Sequence, residues 1–107
     1  MKNHENFCII ITSCNNKEIK DNIVKILLKE KLAACIQVSN AESSYVFKGK
    51  VHNDDEIIIK IKTRLSLYSK VEEIIKELHD YQIPQIIAVP MHKVSDDYKK
   101  WLDENLI

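Results

Sequence analysis

The strongest constraint on the fold is a mismatch in length between extended segments. Residues 43–51 (Ser-Ser-Tyr-Val-Phe-Lys-Gly-Lys-Val) and 56–64 (Glu-Ile-Ile-Ile-Lys-Ile-Lys-Thr-Arg) read as the arms of one antiparallel hairpin, with His52, Asn53, Asp54 and Asp55 as turn formers between them. Together with the extended stretch from Ala33, they cover far more chain than the short apolar strands at 7–12 and 85–89. A hairpin of that length overhangs whatever covers the shorter strands. Its overhang is not polar: Tyr45, Phe47 and Val51 are predicted to alternate along one face and Val46 to lie on the other. Soluble proteins cover or pair such an edge, so self-association through it is expected. The alternative is that residues 39–44 form a loop that folds the hairpin back over its own core.

Around the hairpin the remaining pattern is regular. Phe7-Cys8-Ile9-Ile10-Ile11-Thr12 is a continuous apolar run suited to a central strand. Asn15 and Glu18 resemble a capping box, after which Ile19, Ile23, Ile26 and Leu27 recur at helical spacing to about Lys31. Residues 32–38 start a second strand, expected to lie parallel beside the first after a right-handed crossover. Leu67, Val71, Ile74, Ile75 and Leu78 give a second helix, with Ser66 as its expected cap and an end near His79. Pro90 limits the last strand. Ser95, Asp96 and Asp97 then open a terminal helix with Tyr98, Trp101 and Leu102 on its apolar stripe. The reading is an α+β chain: a ferredoxin-like βαββαβ antiparallel sheet with an added C-terminal helix, one domain over residues 1–107.

Composition excludes several classes of function. Gly49 is the only glycine, so neither a Walker loop nor a dinucleotide fingerprint can be built. Sixteen basic and sixteen acidic side chains cancel, and Arg64 is the sole arginine, so no nucleic-acid partner is expected. No apolar run approaches the roughly 20 residues that span a bilayer, and the polar start Met1–Asn6 lacks a signal-like apolar region, so a cytosolic protein without membrane contact is expected. Cys8, Cys14 and Cys35 make an odd count without CxxC spacing, which disfavours a disulfide framework. Cys8 and Cys35 read as small core residues. His4, His52 and His92 fall at a terminus, a turn and a strand end and read as solvated.

The segments 30–35 (Glu-Lys-Leu-Ala-Ala-Cys), 44–51 (Ser-Tyr-Val-Phe-Lys-Gly-Lys-Val), 61–64 (Ile-Lys-Thr-Arg), 79–85 (His-Asp-Tyr-Gln-Ile-Pro-Gln) and 97–102 (Asp-Tyr-Lys-Lys-Trp-Leu) together resemble the CutA divalent-cation-tolerance family, in that family's order. The resemblance implies a ferredoxin-like fold, a homotrimer interlocked through the long hairpins, and a part in tolerance of copper and other divalent cations, with no established reaction. Departures from the pattern are Phe47 for Trp, Asp80 for Pro, Gln85 for Glu, and Thr12 where the metal-linked cysteine is usual. Gln85 removes an anionic ligand. Cys14, two residues past Thr12, points the same way only if the strand continues that far.

With this resemblance, Cys14 and His79 are the candidate metal ligands, a thiolate and an imidazole being donors that favour copper or a related divalent cation. The bland alternative is a partly exposed thiol and a histidine at the negative end of a helix dipole. No cation is expected to be needed for folding. Lys62, Thr63 and Arg64 end a strand just before a helix and offer cationic groups to a small anionic ligand, with Tyr45, Tyr98 and Trp101 as walls of a cleft between subunits. Packing of those aromatics into the core is the alternative. The leading expectation is a cytosolic homotrimer of metal tolerance with weak metal binding and no catalysis. The second is a trimeric signalling or scaffold protein that binds an anionic metabolite or a protein at the cleft. An enzyme of acylphosphatase type is disfavoured, because Arg64 and Gly49 both lie far from the amino terminus.

Overall fold

The computed structural model describes residues 6–107, so the expectation for His4 lies outside the described residues. The elements are β1 (Phe7–Cys14), α1 (Lys17–Lys29), β2 (Cys35–Phe47), β3 (Lys50–Arg64), α2 (Tyr68–Leu78), β4 (Ile86–Pro90) and α3 (Asp96–Glu104), with one 3-10 turn at Leu65–Leu67. The strands form one antiparallel sheet in the order β2-β3-β1-β4. The α+β, ferredoxin-like expectation therefore holds. β2 is parallel to β1 but not its neighbour, because β3 inserts between them and takes both ladders.

Alternation along β1 divides the molecule into two layers. Cys8, Ile10 and Cys14 face α1 and α2 and join Ile23, Leu27, Ile59, Ile61, Val71 and Ile75 in one fully buried core. Each Ile, Leu or Val removed from water in this way contributes about 1.5–3 kcal/mol. On the opposite face, α3 and the residues after it cover one end only, packing Leu102 of the helix and Leu106 beyond it on Phe7. Ile87 and Val89 remain exposed on that face beside Ile9 and Ile11.

Two local corrections concern capping and turns. Asn16, not Asn15, caps α1: its Oδ1 accepts the Ile19 N–H at 3.0 Å. The helix then ends on a left-handed residue, Lys31 (φ 56°), whose N–H donates to Leu28 O at 3.2 Å while Leu32 N–H donates to Leu27 O at 3.0 Å. This is the paired geometry that glycine commonly supplies. Ser66 lies inside the 3-10 turn, and the residue at the cap position of α2 is Leu67, which makes no side-chain cap. Ser95 does cap α3, accepting from Tyr98 N–H.

The hairpin turn is also displaced. It is the two-residue Lys48-Gly49, at φ 52° and 75°, and residues 52–55 belong to β3. Positive φ at both central residues matches the right-handed twist of the arms, which a turn at 52–55 lacking glycine would not. The new register pairs Val46 with Val51 on one face and places His52 between Tyr45 and Phe47 on the other, at ring distances of 5.5 and 6.2 Å. Val51 thus shares a face with Val46, not with Tyr45, and His52 is a strand residue packed among aromatics. Beyond the last β1–β3 pair, Cys14 with Ile57, residues 41–47 and 50–56 continue past the end of β1, an overhang of about 23 Å.

Candidate functional site

β1 continues through Ser13 and Cys14, so Cys14 does point the same way as Thr12, into the helix-facing core. Both are fully buried, and Thr12 Oγ1 has no hydrogen-bond partner among the described residues. Burial pushes the Cys14 thiol above its ordinary range, with the Asp80 and Glu56 carboxylates adding to the shift and a backbone hydrogen bond at Asn16 and the Lys20 ammonium opposing it. The thiol form is therefore favoured over the thiolate that a metal requires.

His79 follows α2 and folds its ring against the end of β1. Nδ1 accepts the Tyr81 N–H at 3.1 Å, so the ring proton lies on Nε2, which donates to Ser13 O at 2.6 Å. Backbone groups occupy both nitrogens, and the side chain has no solvent exposure. Cys14 and His79 thus meet at one corner, through Ser13. Among the described residues, no group of three or more His, Cys, Asp or Glu side chains is arranged to hold a metal ion. In a single chain the two candidates do not make a formed metal site.

The six candidate cleft residues do not share one place. Tyr45 pairs with His52 in the overhang, whereas Arg64 pairs with Phe7 at the other end of β3, about 40 Å along the strand. Thr63 is buried and donates to Leu32 O at 2.6 Å. Arg64 is held by Asp103 Oδ1 at 2.6 Å and by the carbonyls of Asp103 and Ile107, with its guanidinium over the Phe7 ring. Only Lys62, Tyr98 and Trp101 form a group: Lys62 Nζ lies 3.3 Å from Tyr98 Oη and over its ring, and Trp101 stacks on Tyr98 at 5.6 Å. Cys35 faces Lys62 across the ladder and is half-buried, not a core residue.

A groove that the sequence did not disclose opens at the root of the hairpin, beside the Cys14–His79 corner. Its volume is about 340 Å³, and Ser13, Tyr45, Glu56, Tyr81, Ile83 and Gln85 contribute to its lining. Tyr81 Oη donates to Glu56 at 3.0 Å, and Ser13 Oγ donates to Gln85 Oε1 at 3.2 Å. Burial and the Glu56 carboxylate both hold the Tyr81 phenol well above its ordinary range. Tyr45 Oη donates to Asp54, which raises the Tyr45 phenol in the same way. The signal for Tyr81 was its place in the 79–85 segment; Glu56, 25 residues away, carried none.

A family model described as CutA1 divalent ion tolerance protein matches residues 8–105. The divalent-cation tolerance protein CutA of Pyrococcus horikoshii is 40% identical over 96 residues, 90% of this chain and 94% of that protein. The crystal structure of CutA1 from the same organism superposes with a TM-score of 0.87 at 37% identity, covering 94% of this chain and 98% of that one. A structure described as the periplasmic divalent cation tolerance protein CutA from Archaeoglobus fulgidus gives 0.89 at 29% identity, covering 92% and 97%.

Proposed function

Because the chain belongs to the CutA1 divalent ion tolerance family, we propose that it works as a cytosolic homotrimer that binds copper or a related divalent cation weakly and catalyses no reaction. The observation that carries this reading is the match over nearly the whole chain to proteins of divalent-cation tolerance. Support for association comes from the overhang, where Val46 and Val51 are each 71% exposed, and from the open face bearing Ile87 and Val89. Among the described residues no helix is long and apolar enough to cross a membrane. The Archaeoglobus fulgidus relative is described as periplasmic, so the cytosolic address is tested by fractionation.

The Cys14–His79 corner is the proposed cation contact. To bind, His79 must give up one backbone partner and Cys14 must lose its proton, both of which weaken the interaction and keep it pH-dependent. Calorimetry with copper on the wild type, Cys14→Ala and His79→Ala tests it. Wild-type binding that is lost in both variants is expected; unchanged binding in the variants would remove these residues from the site. Lys62, Tyr98 and Trp101 support a second reading, an anion or partner protein at a subunit boundary, because they form a cationic and aromatic group with Trp101 partly exposed.

A further inference from the structure

The groove at the hairpin root has a chemistry opposite to that expected for an anion. Among the described residues that line it there is no lysine, arginine or histidine, and its charged member is the Glu56 carboxylate. Lys62 lies six residues further along β3, about 20 Å away, and Arg64 is further still and already paired. On the face of the hairpin that carries Glu56 stand Ser43 and Tyr45, with Tyr81 packed against it, whereas Ser44 lies on the other face and its Oγ donates to Asn53 Oδ1 at 2.6 Å. Ile83, on the rim, is 77% exposed.

This set does not suit a metal ion. Hard divalent cations take six or more oxygen ligands, several of them anionic, and soft ones take sulfur or imidazole. Here one carboxylate already accepts the Tyr81 phenol, and the remaining donors are neutral. An ammonium group has different needs: an anion at hydrogen-bond distance, further oxygen acceptors for its remaining N–H bonds, and aromatic faces that attract a cation. Glu56, the hydroxyls of Ser43 and Tyr81 and the two tyrosine rings provide all three within one groove. Tyr81 Oη holds the Glu56 carboxylate in place, so little ordering is required when a cation arrives. An exposed isoleucine beside such a pocket gives an alkyl substituent a surface to cover.

We infer that the groove formed by Tyr45, Glu56, Tyr81 and Ile83 is a binding site for a small alkylammonium ion. The site is independent of the metal reading and does not use Cys14 or His79 as ligands. It also differs in place and in sign of charge from the Lys62–Tyr98–Trp101 group.

Three probes with one four-carbon tail test the head group: n-butylammonium, butan-1-ol and butyrate, titrated into the chelator-treated full chain and followed by amide chemical shifts. n-Butylammonium should shift residues 43–45 and 81–83 saturably, with the alcohol and the carboxylate weaker by on the order of tenfold or more. Glu56→Gln keeps an acceptor for Tyr81 and should weaken n-butylammonium by the same order. Ile83→Ser should lower the affinity for n-butylammonium to that for methylammonium and leave methylammonium unchanged. Absence of saturable binding, equal binding of butyrate, or an unaltered affinity in Glu56→Gln would overturn the proposal. Retention of the butyl preference in Ile83→Ser would overturn the assignment of the tail.

Discussion

A thiol buried as Cys14 is keeps its proton in the folded state at pH values where the unfolded chain has lost it. Burial likewise raises Cys8. The folded-state pKa lies above the unfolded value of about 8.5, so the stabilisation is complete below that pH and is lost as pH rises through the folded value. Urea midpoints should therefore fall as pH is raised from about 8 to 10, and Cys14→Ala should show a shallower fall; parallel profiles would remove Cys14 as a cause. The position of Cys14 was legible in the chain, since a strand's two-residue alternation carries it to the same face as Thr12. What no side-chain pattern could disclose is how His79 is used. Its partners, Ser13 O and Tyr81 N–H, are backbone groups, and every residue carries those.

Elements were read more reliably than their ends. Hydrophobic periodicity located α1 and α2, because Ile23, Leu27, Val71 and Ile75 are the residues that the core buries. The cap of α1 was misplaced by one residue because Asn15 and Asn16 have the same side chain and only backbone geometry separates them. Asn16 is extended at φ −135° and ψ 123°, and its side chain holds the Ile19 N–H. Asn16→Ala should lower stability by about 1 kcal/mol, seen as a shifted urea midpoint at constant slope, and Asn15→Ala should stay within about 0.5 kcal/mol. Equal effects of the two substitutions would show that the cap is not specific. The turn at Lys48-Gly49 was hidden by a similar ambiguity. His52-Asn53-Asp54-Asp55 has turn-forming composition, yet a lysine at φ 52° beside Gly49 closes the hairpin four residues earlier and puts those residues into β3.

The described residues span 52 × 26 × 21 Å, and the long axis follows from the β2–β3 arms that run beyond β1. The length mismatch in the sequence therefore survives the displaced turn, because moving the turn lengthens β3 as it shortens the other arm. What changes is which residues share a face. Val46 and Val51 form a cross-strand pair that is mostly in water, while Tyr45, His52 and Phe47 already cover one another on the reverse side. The valine pair is thus the part of the overhang with most to gain from a second copy. Replacing it with Val46→Glu and Val51→Lys puts opposite charges across the same pair, which supports the hairpin while removing its apolar surface. If this pair seals the proposed trimer, light scattering should read the mass of three chains for the wild type and of one for the double variant, with strand content unchanged by circular dichroism. A three-chain mass in the double variant would place the association elsewhere, on the open face of the sheet where Ile87 and Val89 lie exposed beside Ile9 and Ile11.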